Sequence, residues 1–74
     1  MIKPEFKAEL ELLDAYLVAQ WINQRAFREQ FAGQWKEGGY ALAHLDAQEA
    51  EILSHLGTTR SMLGVEPFDP AEIS

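Results

Sequence analysis

The sequence predicts an all-α protein, assembled either as a small helical hairpin or as a three-helix bundle. Three observations predict this class. Apolar side chains recur at helical spacing along the N-terminal half, long stretches contain neither Gly nor Pro, and the later apolar residues include many Ala and Leu, which favour helix over strand. A chain of 74 residues has room for one domain at most.

The first and longest helix is predicted over 4–32. Pro4 suits the first turn, where its missing N–H would have no partner, and Glu5 lies near the positive end of the helix dipole. No further Gly or Pro occurs before Gly33. A helical projection gives this segment two apolar faces. The first comprises Phe6, Leu10, Leu13, Leu17, Trp21, Phe27, Phe31 and Trp35. The second comprises Ala8, Leu12, Ala15, Ala19, Ile22 and Ala26.

The length of this helix conflicts with a compact shape. About 28 helical residues extend about 42 Å, whereas a compact chain of this size is roughly 30 Å across. Either the helix is broken near Asn23, a residue type that caps helices, or it protrudes and packs against another chain. Two apolar faces exceed what one further helix can cover. We therefore predict a homodimer in which the long helices pair.

A second helix is predicted over 40–56, after a Gly-rich turn at 33–39. The apolar residues of YALAHL alternate, but Ala and Leu favour helix. Gly57 fits the C-terminal cap of this helix. A short capping helix follows over 58–63, beginning at a Thr. The tail at 64–74 is expected to be extended.

Composition and charge limit the classes of partner. The chain carries 12 acidic and 6 basic side chains, a net charge of −6 and a pI near 4.7, so its field repels phosphate backbones and anionic membranes. It contains no Cys, which excludes disulfides and thiolate metal sites. No run approaches the ~20 apolar residues of a membrane span, and the opening MIKPEF lacks the pattern of a signal peptide. We expect a cytoplasmic protein that binds neither nucleic acid nor membrane.

Residues 49–64 resemble the middle of a helix-turn-helix, which makes a transcription regulator the alternative function. A recognition helix must place its N-terminal residues on base edges in the major groove. The candidate helix is little more than one turn long, Arg60 is its basic residue, and Glu49 and Glu51 precede it. Charge and length therefore argue against DNA recognition.

Catalytic and metal-binding patterns are weak. His44 and His55 are separated by about 16 Å along a helix, too far to share a metal, and Glu51 with His55 supplies two ligands at most. Ser54 and His55 are adjacent and do not face each other on a helix. We expect no enzymatic activity, no catalytic residue, no metal and no cofactor.

The segment WINQRAFREQFAGQWK, residues 21–36, carries the prediction of a partner-binding surface. Aromatic and Arg side chains are enriched at interface hot spots, and this stretch is locally basic in an acidic chain. Either the aromatic residues form the protein's own core, or they bind another chain. Gln20 and Gln24 interrupt the apolar face and indicate a helix–helix contact with a defined register. The function expected is that of a small accessory protein, an adaptor, assembly factor or inhibitor that binds a partner protein. The predicted partner-binding residues are Trp21, Arg25, Phe27, Arg28, Phe31 and Trp35.

Overall fold

The computed structural model describes residues 3–72 and consists of two long antiparallel α-helices joined by a turn. Helix α1 spans Pro4–Gln30 and helix α2 spans Tyr40–Leu63. The stretch from 3 to 72 contains no β-strand, and a short 3-10 helix, Pro70–Glu72, follows α2. The all-α prediction is confirmed, and the architecture is the hairpin and not the three-helix bundle.

Helix α1 runs through Asn23 without a break. No Gly or Pro lies in its interior, and α2 is nearly as long, at 24 residues against 27, so the two helices pack along most of their length. Of the two alternatives, the break near Asn23 is absent, and the helix extends beyond the roughly 30 Å of a compact chain of this size. The molecule measures 47 × 19 × 17 Å, with a radius of gyration of 14.6 Å.

The break predicted at Gly57 is absent, and 58–63 continues α2 instead of forming a separate capping helix. Gly57 has no positive φ, so it does not cap a helix. The hydroxyls of Thr58 and Thr59 donate to the carbonyl oxygens four residues earlier, at 3.2 and 2.8 Å, as Thr does inside helices. An internal Gly costs roughly 1 kcal/mol, which the complete burial of neighbouring Leu56 outweighs.

Helix α2 ends instead at Gly64. This glycine adopts a left-handed φ of 72°, and the N–H of Val65 donates to the carbonyl of Arg60 at 3.2 Å. This geometry provides hydrogen-bond donors to carbonyl groups of the last helical turn that have no partner within the helix. Glycine adopts the left-handed conformation at little cost because it has no Cβ. Of the predicted tail at 64–74, residues 65–69 have no regular secondary structure, and residues 73–74 lie outside the described part.

The core lies where α1, α2 and the tail meet. Phe68 of the tail returns to Trp21 of α1, with their ring centroids 6.2 Å apart and nearly perpendicular. The buried residues of this core cluster are Leu17, Trp21, Ile52 and Leu56, and the half-buried ones packed against them are Val18, Leu53 and Phe68. The tail therefore contributes to the core that the hairpin alone leaves open.

An ion pair holds the same three segments together. The guanidinium of Arg60 on α2 donates to both carboxylate oxygens of Asp14 on α1, at 2.7 and 3.2 Å. The same guanidinium lies over the ring of Phe68, 5.3 Å from its centroid. Two-point pairing to a carboxylate fixes the position of Arg60 as well as attracting it. The pair aligns the helices at the open end of the hairpin.

Candidate partner-binding surface

Three of the predicted partner-binding residues lie together at the turn end of the hairpin. The ring centroids of Phe27 and Phe31 are 4.8 Å apart, and Trp35 lies 6.0 Å from Phe27 and 6.5 Å from Phe31. Separations of this size are those of favourable aromatic pairs. The spacing of four residues along α1 and into the turn therefore produces one aromatic cluster.

Trp21 does not belong to this cluster. It is 7% exposed and packs in the core against the tail, so its surface is used within the chain. The apolar face predicted for α1 is thus divided. Its middle is covered by α2 and the tail, while its C-terminal end continues into the turn.

The two predicted arginines bind α2 instead of forming a basic surface. Arg28 pairs with Asp46 at 2.7 Å and with Glu49 at 3.0 Å, and Arg25 pairs with Glu49 at 3.4 Å. Gln24 donates to the carbonyl oxygen of Leu45 at 3.0 Å. The positive charge seen in the sequence is balanced by α2, and these contacts set how the helices meet beside the turn.

The turn that carries Trp35 is held by backbone geometry and one side-chain bond. The indole N–H of Trp35 donates to the carbonyl of Arg28 at 2.9 Å, which fixes the ring against the end of α1. The N–H of Gly39 donates to the carbonyl of Lys36 at 2.8 Å, so closely that a Cβ on Gly39 would lie 2.9 Å from that oxygen. The indole is therefore oriented before any partner arrives.

Tyr40 completes a cleft that sequence reasoning missed. It is the first residue of α2 and is 88% exposed, and Phe27 across the cleft is 50% exposed. The cleft measures about 480 Å³, and its lining includes Phe27, Phe31, Trp35, Lys36, Tyr40 and Leu42. We call this surface the aromatic cleft. Tyr40 follows two Gly residues in the sequence, but only the path of the turn brings it back beside Phe27.

Residues 49–64 do not form a helix-turn-helix. Residues 49–63 belong to the single helix α2, and the only departure from helical geometry comes after it, at Gly64. Without a turn near Gly57, no separate recognition helix exists. The segment fills the core and borders the tail.

The histidines show no metal-site geometry. His55 and Glu51 lie 3.6 Å apart one helical turn from each other, and both are well exposed. His44 stacks beside Tyr40, with ring centroids 6.4 Å apart. Among the described residues, no group of three or more His, Asp or Glu side chains is placed to hold a metal ion.

Comparison of the chain with models of protein families, with curated proteins and with solved structures gives no match in any of the three. Within residues 3–72, neither helix combines the length and the apolar character needed to cross a membrane.

Proposed function

We propose that this protein is a protein-interaction module, an adaptor, assembly factor or inhibitor that binds a partner protein through the aromatic cleft. The observation that carries the proposal is the exposure of aromatic rings around one cleft: Phe27 is 50% and Tyr40 88% exposed, beside the half-buried Phe31 and Trp35. Interface hot spots are enriched in such aromatic side chains in clefts.

The cleft suits binding because its rings are held before a partner arrives. Trp35 is anchored to the end of α1 by its indole hydrogen bond, and Phe31 lies between α1 and the turn, in contact with both neighbouring rings. Ordering side chains at an interface costs free energy, so a surface already ordered binds more tightly. We expect the partner to insert one or two apolar side chains between Phe27 and Tyr40.

The charge of the chain favours a partner with a basic patch. The net charge is −6, and the arginines nearest to the cleft are already paired with α2. The net negative charge of the chain as a whole accelerates association with a basic partner and discourages acidic ones, although the charged residue that lines the cleft itself is Lys36. The affinity is therefore expected to depend on the apolar contacts, and the association rate on salt.

The test is quantitative affinity capture from the cells that make the protein. Wild-type protein is compared with the double variant Phe27→Ser/Tyr40→Ser, and captured proteins are quantified by mass spectrometry. A captured protein is then purified, and its dissociation constant is measured by calorimetry. Loss of two hot-spot rings is expected to weaken binding at least about 30-fold.

The matched control is Met62→Ser, which removes an exposed apolar side chain of α2 remote from the aromatic cleft. The control is expected to retain the partner at the wild-type dissociation constant. A partner that binds the double variant as tightly as wild type would overturn the proposal, provided that circular dichroism shows both variants folded.

A further inference from the structure

The second apolar face of α1 is exposed along its length. By helical projection it lies roughly opposite the residues that pack against α2. It consists of Ala8, Leu12, Ala15, Ala19, Ile22 and Ala26, all exposed to solvent. Leu12 is 72% exposed and Ile22 is 42% exposed. We call this surface the alanine face; it does not include any residue of the aromatic cleft.

The spacing of the alanine face is that of a helix that pairs with another helix. Its members alternate at intervals of four and three residues, which is a heptad pattern. A second copy laid antiparallel on this face puts Leu12 opposite Ile22 of the other chain and Ala15 opposite Ala19. The bulky side chains then meet near the two ends, and the small ones in the middle let the backbones approach closely.

Charges beside the face favour the antiparallel direction. Glu11 and Arg25 flank the alanine face on the same side. In the antiparallel register, Glu11 of each copy lies beside Arg25 of the other, and two-fold symmetry forms this pair twice. Arg25 also pairs with Glu49 of its own α2 at 3.4 Å, but 45% of its side chain remains exposed to a second carboxylate. A parallel dimer in register would instead place Glu11 beside Tyr16 and Arg25 beside Gln30, with no opposite charges in contact.

In the antiparallel register, Leu12 of one copy lies opposite a cleft in the other copy. It measures about 380 Å³ and lies between α1 and the tail, and its lining includes Ile22, Arg25 and Pro70. The register therefore brings Leu12, which is 72% exposed, to a cleft whose lining is mostly apolar, with Arg25 and Glu29 as its charged residues, and it places Glu11 beside that arginine. The heptad spacing, the flanking charges and the position of the cleft are separate observations, and each favours a second copy of this chain on the alanine face.

We infer that a second copy of this chain docks antiparallel on the alanine face, with Leu12 of each copy inserted between α1 and the tail of the other. This inference does not depend on the proposed function, because it uses a different surface. The face is about 27 Å long, so the interface belongs to the small, weak class. Oligomeric state must accordingly be measured up to about 1 mM protein.

The first test is sedimentation equilibrium over that concentration range. Wild-type protein is expected to shift from monomer to dimer, and Leu12→Ser to weaken the dimer at least about tenfold, with Met62→Ser as the control that dimerises like wild type. A wild-type monomer at every concentration would overturn the inference. So would a dimer that Leu12→Ser leaves unchanged.

The second test determines the direction of the pair. The chain has no Cys, so single spin labels can be placed on Tyr16→Cys and on Gln30→Cys without background. In the antiparallel dimer, the two labels at 16 lie side by side near the two-fold axis, and those at 30 are about 40 Å apart. Equal short distances at both positions would indicate a parallel dimer and contradict the inference.

Charge reversal tests the flanking pair. Glu11→Arg is expected to weaken the dimer about tenfold by placing like charges together, and adding Arg25→Glu to the same chain is expected to restore it. Failure of the double variant to recover, with its helical spectrum intact, would contradict the antiparallel register. Leu12→Ser and Glu11→Arg leave every residue that lines the aromatic cleft in place, so these two single variants are expected to capture a partner protein through that cleft as wild type does.

Discussion

The middle of the hairpin and its turn end use aromatic side chains in opposite ways. In the middle, Trp21 is 7% exposed because α2 covers one side of the indole and Phe68 of the tail covers another. At the turn end, Phe31 and Trp35 remain half-buried and Phe27 half-exposed, although their rings contact one another. Six residues along one helix separate a core aromatic from a surface aromatic.

Two packed helices alone do not bury an aromatic ring completely. Each pair of helices leaves an open flank, and a third segment is needed to close it. The tail closes the flank over Trp21 and is anchored there by Arg60 and Asp14. No described segment closes the aromatic cleft, which is why we assign that position to a partner protein.

The largest expected losses of stability come from truncating the buried residues of the core cluster, among them Leu56. Leu56→Ala removes a side chain with no exposed surface and is expected to cost about 2–5 kcal/mol. A chain of this size is stable by only about 4–11 kcal/mol, so a large share of the stability would be lost. Urea unfolding followed by circular dichroism measures the change. Met62→Ala on the same helix is the exposed control and should change stability by less than about 0.5 kcal/mol.

A smaller loss is expected when the tail is detached. Phe68→Ala removes the ring that covers Trp21 and is expected to cost about 1–2 kcal/mol, less than a fully buried Phe because Phe68 is half-buried. In a Trp35→Phe background, which leaves Trp21 as the single indole, the fluorescence should shift to the red as that indole meets water. If neither stability nor emission changed, relative to a Val65→Ala control in the same tail, the tail would not be part of the core.

Much of the fold follows from patterns that the sequence contains. Helical spacing and the lack of Gly or Pro after Pro4 predicted α1, and its uninterrupted course follows from the same feature. The prediction failed at Gly57, because a Gly followed by two Thr has the composition of a helix end. Helix propensity depends on the residue and its neighbours in sequence. The burial of Leu56 against α1, which stabilises the helix through Gly57, depends on contacts with residues that are distant in sequence.

The candidate surface was only partly predictable. Spacing along one helix placed Phe27, Phe31 and Trp35 together. It could not show that Trp21 would be covered by the tail, or that Tyr40 would return beside Phe27, since both depend on where the chain turns. The basic residues of 21–36 suggested a locally basic surface for the same reason. The acidic residues that pair with them, Asp46 and Glu49, lie on α2 and are distant in the sequence.

A gain in stability of about 0.5–1 kcal/mol is expected from Gly57→Ala. Gly57 is helical, and a Cβ there would meet no atom within 4 Å, so Ala adds helix propensity without strain. Gly64→Ala is the matched control and should lose about 1 kcal/mol, because its φ of 72° disfavours any side chain. Thermal unfolding compares the two. A loss at Gly57 would indicate that α2 is interrupted there.

The smallest expected effect on stability lies in the aromatic cleft and completes the comparison. Phe27→Ala should change the free energy of unfolding by less than about 1 kcal/mol, because Phe27 is already 50% exposed to water. Trp21→Ala on the same helix is the matched truncation, with an expected cost of about 3–5 kcal/mol. Urea unfolding of both variants at low protein concentration measures the difference. Equal losses of stability would mean that Phe27 belongs to the core as much as Trp21 does. The aromatic rings at the turn would then contribute mainly to folding and not to binding a partner.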